Sequence, residues 1–361
     1  MSIPTTGPLR VAVVGAGMMG ADHVRRITST ISGAEVVVVV DPDGDRASAA
    51  AATAPGAVTA ASFEEALDAV EIDAVIIATP GFLHEAVLLP ALERGLAILC
   101  EKPLTTDEAA SLRVLEAEQR LDRPHVQVGF MRRFDQGYLD LRALVESGEQ
   151  GALLALHCAH RNATTPPNYS EEMLILDSVI HEIDVVPFLV GEPIVAVEVK
   201  KPRRNSLAPA GLPEPQIVIL ETTSGTMAIV EINVNVQFGY QVTTDAVFES
   251  GVASIGRETG PLLTTAGRTG QPVPPSFKER FAAAYDTQVQ RWVDAARRGT
   301  IDGPSAWDGY LASVVATAGV EAQASGRRVE VEYAMAKPAF YELGAGASAG
   351  RASSSPSVVG A

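Results

Sequence analysis

The chain is short of cysteine, of basic residues, of long apolar runs and of metal-binding motifs, and each shortage excludes something. Only Cys100 and Cys158 occur. The first ends an apolar run that reads as a buried strand and the second lies inside another, so no disulfide framework is expected and a reducing cytoplasm suits the chain. Lysine and arginine number 28 against 44 acidic residues, for a formal charge of −16. Such a surface repels a phosphate backbone, so nucleic acid is not an expected partner. No run approaches the roughly 18 apolar residues of a spanning helix, and the opening MSIPTTGPLR has no apolar export core, so no membrane association is expected. His157 and His160 have HxxH spacing, but residues three apart in a strand face opposite ways. With no cysteine cluster and no HExxH, no metal is expected.

What remains is 361 residues, 47% of them apolar, more than one core usually serves. Two domains are predicted, over residues 1–130 and 131–342, followed by a Gly/Ala/Ser-rich tail at 343–361 with no apolar period, expected to be disordered.

In the first domain a β-branched run, Leu9 to Val14, leads into Gly15-Ala-Gly17-Met18-Met19-Gly20 and then a helical pattern. In that context the glycines allow a tight turn, close approach of a pyrophosphate and close helix packing, with the helix N-terminus facing the anion. The next strand ends at Asp41, placed to accept hydrogen bonds from an adenosine ribose. That favours NAD over NADP, whose 2′-phosphate Asp41 would repel. Arg46 reads as a solvated helix residue, with some room left for dual use.

Helices and strands then alternate to Phe130, which predicts right-handed βαβ units and a doubly wound parallel sheet. Ligands lie beyond the carboxyl ends of such strands, where Thr79 and Pro80, Glu101 and Lys102, and Met131 and Arg132 fall. Lys102, held by Pro103, is either a solvated strand end or a cation reaching the crevice to stabilise a developing alkoxide. His84, opening a helix, is a candidate cofactor contact.

Beyond residue 131 strands follow one another, with turn signals at Ser224-Gly225 and Ser250-Gly251. An α/β domain with an open, mostly antiparallel sheet covered on one face by helices is predicted. Within it Ser170 to Val190 reads as one amphipathic helix, placing Asp177 and His181 at i and i+4 on one face. A carboxylate beside an imidazole holds its tautomer and raises its basicity, as suits a group taking a proton from an alcohol; the same spacing also serves a surface salt bridge. His160 and Asn162 share a strand face, as ligand contacts or as satisfied polar groups. Two amphipathic helices near the end, from Phe277 and from Ser305, are predicted to pack between domains or subunits.

The stretches VAVVGAGMMG, LCEKPL, VQVGFMRRFDQGY, HCAHRN, DSVIHEIDV, PQIVILET and GPSAWDGY together resemble the glucose-fructose oxidoreductase, inositol dehydrogenase and rhizopine catabolism (Gfo/Idh/MocA) family, in particular its cyclitol-oxidising members. The resemblance runs from about residue 9 to 340. It implies a Rossmann domain joined to an α/β domain that assembles a homotetramer through its open sheet. It also implies NAD-dependent oxidation of a cyclitol alcohol to a ketone, with myo-inositol the first expectation and scyllo-inositol, D-chiro-inositol, an aminocyclitol or a pyranose as alternatives. An NAD-using glycosidase and a non-catalytic dinucleotide sensor are further alternatives. By the same resemblance Lys102, Asp177 and His181 form a catalytic triad, and Met131, Arg132, His160, Asn162 and Tyr240 line the polyol site. Ser178 stands where similar sequences often carry threonine, which bears on the stereoisomer.

Overall fold

The computed structural model describes residues 7–257 and 260–342; the tail beginning at Leu343 lies outside the described residues. The chain opens with β1 (Leu9–Val14), α1 (Met18–Ser29), β2 (Ala34–Val40), α2 (Gly44–Ala51), β3 (Val58–Ala60), α3 (Phe63–Ala69), β4 (Ala74–Ile77), α4 (His84–Glu93), β5 (Ala97–Cys100), α5 (Glu108–Glu118) and β6 (Val126–Val128). All pairings are parallel, in the order β3-β2-β1-β4-β5-β6. The order reverses beside β1, so a crevice opens between the ends of β1 and β4, where open α/β sheets bind ligands. Strand β3 escaped sequence reading because three residues are too few to show a period.

A 3₁₀ turn (Met131–Phe134) and α6 (Gln136–Ser147) lead to β7 (Leu153–Arg161). A π-helical turn (Leu174–Val179) then runs into α7 (Ile180–Val190), followed by β8 (Ile194–Lys200), β9 (Gln216–Thr222), β10 (Met227–Asn233), β11 (Gln241–Phe248) and β12 (Val252–Ile255). A small hairpin of β13 (Leu263–Thr265) and β14 (Arg268–Gly270) precedes α8 (Phe277–Arg280), α9 (Ala282–Arg297), α10 (Ala306–Ser325) and β15 (Val329–Glu330). The second sheet runs β12-β11-β7-β10-β9-β8-β15 and is antiparallel except at β7–β10. Its inner face (Leu156, Cys158, His160, Val218, Leu220, Val230, Ile232) is buried under α7 and α10. Both predicted turn signals join antiparallel neighbours, at β9–β10 and β11–β12.

One reading needs correction. The helix predicted from Ser170 starts later and begins with the π turn. A π turn closes with an i→i+5 bond, so the i, i+4 stacking that would set Asp177 against His181 in an α-helix does not carry over. Packing crosses the predicted boundary at 130/131. On one face of the first sheet Val289, Trp292, Val293 and Ala296 of α9 join the core of β1, α1 and α2, while α10 packs on α5 as well as on β8 and α7. Backbone bonds reinforce this, with Val128 donating to the Pro304 carbonyl at 2.8 Å. The last helices therefore tie the second sheet to the first, because their apolar faces find partners on both.

Candidate active site

The glycine turn has the shape a dinucleotide requires. Gly15 has φ +93°, and a Cβ there would come within 2.7 Å of the Ala78 backbone at the end of β4. A Cβ on Gly20 would lie 1.7 Å from the Gly15 carbonyl oxygen, so only glycine lets α1 start this close to β1. A Cβ on Gly17 would meet nothing within 4 Å, which leaves the space over the helix N-terminus open to an anion. Met18 is exposed and Met19 half-buried on the same turn. These observations separate two roles. Gly20→Ala is expected to lower both melting temperature and NAD⁺ affinity, the latter by about tenfold or more (about 1.4 kcal/mol). Gly17→Ala is expected to leave melting unchanged while weakening NAD⁺, as titration of cofactor binding alongside thermal melts will read.

Asp41 stands at the end of β2 with its carboxylate accepting from the Ala16 N–H at 2.8 Å, the Asp43 N–H at 2.9 Å and Arg46 Nη2 at 2.9 Å. Burial opposes its charge, but Arg46 and the two amides hold the carboxyl below its usual range. Arg46 is therefore a partner of Asp41 rather than a purely solvated residue. The residues fit an NAD-type dinucleotide: a glycine cradle, a helix N-terminus and an ionised ribose acceptor.

His84 and Glu101 both hold partners within the protein. His84 is buried, with Nδ1 2.7 Å from the Pro103 carbonyl oxygen and Nε2 2.9 Å from that of Thr79. Both ring nitrogens are thus engaged in bracing two strand ends, and burial lowers the imidazole pKa. The Glu101 carboxylate turns inward to His23 of α1, at 2.7 Å.

Lys102 is not a solvated strand end. Its side chain is 18% exposed, and its ammonium donates to the Asp177 carboxylate at 2.6 Å and the Asp177 carbonyl at 2.9 Å. The Lys102 charge holds the Asp177 carboxyl below its usual range, against burial. The carboxylate therefore belongs to Lys102, and no hydrogen bond joins Asp177 to His181 among the described residues. His181 follows in α7, 8% exposed, with its ring 6.2 Å from that of His160 and 6.5 Å from Phe130. Burial pushes its imidazole well below the usual histidine range, and the charges of Arg132, Lys102 and His160 push the same way.

Arg132, in the 3₁₀ turn after β6, is buried against Glu182, and its Nη2 lies 3.2 Å from His160 Nδ1. Met131 beside it is buried. Tyr240, brought back by the loop after β10, sets its ring 6.0 Å from that of His160. That loop begins after Asn233, where β10 ends short of the strand predicted through Phe238.

Ten buried side-chain polar atoms among the described residues have no partner; four of them are Thr79 Oγ1, Arg132 Nε, Asn162 Oδ1 and His181 Nδ1. Buried polar groups are normally paired, so these four atoms are available to a polar ligand.

Sequence reading missed two residues here. Tyr169, in the loop before the π turn, bonds Ser178 Oγ at 2.8 Å and donates to the Met173 carbonyl at 2.8 Å; a lone tyrosine in an aperiodic loop gives no signal. Glu182 does give one, since an acid inside the apolar run Ile180–Val190 must find a buried partner.

Comparison with known proteins agrees with this architecture. Residues 9–130 match an oxidoreductase family model with an NAD-binding Rossmann fold, and residues 138–254 match the GFO/IDH/MocA C-terminal domain. The chain is 54% identical over 336 residues to an inositol 2-dehydrogenase of Pseudarthrobacter chlorophenolicus, covering 93% of this chain and 99% of that one. It superposes on a myo-inositol dehydrogenase from Lactobacillus casei, solved with NAD(H) and myo-inositol, with TM-score 0.89 and 35% identity over 92% of this chain and 99% of that one. A scyllo-inositol dehydrogenase from Lactobacillus casei with NAD(H) and scyllo-inositol matches at TM-score 0.82 and 25% identity, covering 90% and 99%.

Proposed function

The chain belongs to the Gfo/Idh/MocA oxidoreductase family, and from that premise we propose that it is an NAD-dependent dehydrogenase oxidising a cyclitol secondary alcohol to a ketone, with myo-inositol giving 2-keto-myo-inositol. The observation that carries this reading is the meeting of a buried imidazole, His181, with the Lys102–Asp177 pair beyond the carboxyl ends of a dinucleotide-binding sheet.

NAD⁺, held by the turn from Gly15 to Gly20 and by Asp41, supplies the hydride acceptor when bound. The residues do the rest. His181, its charged form disfavoured by burial, is neutral at working pH and takes the hydroxyl proton as the carbon–hydrogen bond breaks. Lys102 directs a cation at the oxygen as negative charge develops there. Asp177 holds the ammonium in place. Arg132, His160, Asn162 and Tyr240 offer the donors and acceptors that a ring of hydroxyls needs, with Met131 beneath.

The same reading makes residues 9–130 together with α9 the cofactor-binding unit, and puts oligomer contacts on the outer face of the second sheet. That face carries Ile217, Ile219, Ile229 and Val247 only half-buried, with Met227 exposed, so a homotetramer formed through it would cover apolar surface. A cytoplasmic setting follows from the dinucleotide supply and from two free, buried thiols.

Initial rates of NAD⁺ and NADP⁺ reduction with myo-, scyllo- and D-chiro-inositol and glucose test the reading. Fast NAD⁺ reduction with myo-inositol is expected. Reduction by scyllo-inositol instead would reassign the isomer, and cofactor binding without reduction by any of them would sink the dehydrogenase assignment.

A further inference from the structure

We propose that Glu182 is a positioning residue for the reaction: its carboxylate clamps Arg132 and His160 to α7 and offsets the Arg132 charge that bears on the proton-accepting His181. The inference rests on the alcohol-oxidising reading above. Glu182 follows His181 directly in α7, and its side chain is 2% exposed. One oxygen accepts from Arg132 Nη1, and the other lies 3.2 Å from His160 Nδ1. Arg132 is itself 1% exposed, so this carboxylate is paired with a guanidinium that water hardly reaches.

The groups around His181 explain why this matters. Lys102 approaches from the end of β5, Arg132 from the turn after β6, His160 from β7, Asp177 from the π turn and Tyr240 from the loop before β11, with Tyr138 of α6 and Cys158 of β7 beside Arg132. Of the acids, Asp177 is taken by Lys102. When His181 accepts a proton, a further positive charge appears in this buried cluster, and like charges penalise it. Glu182 is the carboxylate bonded to Arg132 and offsets its charge. Burial works against its ionisation, but Arg132 and His160 hold its carboxyl down to about 2, so the charge persists across the working range.

Removing that charge has a defined sign. Neutral His181 is the working form, so the rate is lost as pH falls through its pKa. A less favoured imidazolium moves that acid limb to lower pH and raises the barrier to proton transfer. Glu182→Gln in the full-length protein, assayed with NAD⁺ and the polyol that the wild type oxidises, is expected to lower kcat at least about tenfold. The acid limb of kcat/KM should move to lower pH while the KM for NAD⁺ stays within about twofold. Glu182→Asp keeps the charge and should keep the wild-type limb. Loss of a buried counter-charge also costs stability, so rates are compared where thermal melts show each variant folded. The neutral pair Arg132→Gln with Glu182→Gln removes both charges and should return the limb toward wild type with kcat still low. An unmoved limb in Glu182→Gln, or a fall in rate matched by an equal fall in NAD⁺ binding, overturns the proposal. A wild type that reduces no NAD⁺ with any polyol overturns the activity reading itself and this inference with it, and that failure is visible before any variant is made.

Discussion

Replacing His181 by asparagine is expected to lower kcat for NAD⁺ reduction by roughly 10²- to 10⁴-fold, the usual contribution of a positioned acid–base group. The reason is local. Asparagine keeps a compact polar amide where the ring stood, but it cannot take a proton, so the alcohol must lose its proton to water in a crevice that largely excludes it. NAD⁺ affinity should hold, because the dinucleotide contacts lie on the turn from Gly15 to Gly20 and on Asp41. The pH profile gives an independent check. Burial and three neighbouring cations or potential cations depress the His181 pKa, so the acid limb of the wild type should lie below the unperturbed value of about 6.5, with the rate lost as pH falls through it. The variant should lack that limb. Near-normal turnover with the limb intact would move the base to another group.

Lys102→Met is expected to lower kcat by about 10²- to 10³-fold, the range seen when a donor aimed at a developing oxyanion is removed. Methionine preserves most of the stem, so the cavity term is small. The loss is that of a charge and of the two bonds to Asp177 at 2.6 and 2.9 Å. Asp177, freed of the cation that does most to hold its carboxyl low, then titrates at higher pH. Lys102→Arg should rescue little, because a planar fork cannot replace a point charge seated against one carboxylate. Single-turnover rates would separate the two ways of losing activity: a slowed chemical step with unchanged NAD⁺ affinity supports the role, whereas unchanged chemistry with slowed product release would remove it.

Much of the cofactor half was legible in the chain. A β-branched strand, a glycine turn and an acid at the end of the next strand are contiguous or nearly so, and local geometry dictates their arrangement. Gly15, Gly17 and Gly20 show it: one needs positive φ, one must leave open space, and one must let a carbonyl within reach of its Cα. The substrate half was harder. His84 opens a helix and Glu101 follows a strand, and their side chains meet partners nineteen and seventy-eight positions away. No local pattern reports such partners.

The sequence by itself determined the two kinds of sheet, the parallel order of the first, the turn that receives a pyrophosphate and the residue types available for acid–base work, because these follow from periodicity, β-branching and glycine placement over short spans. Only the tertiary structure decided who pairs with whom. Asp177 faces Lys102 because a π turn shifts its position relative to His181, and because the end of β5 is brought to meet it. Glu182 meets Arg132 and His160 across separations of fifty and twenty-two residues. The helices α9 and α10 belong to both halves because apolar faces bury themselves wherever close packing is available, regardless of where a domain boundary falls along the chain.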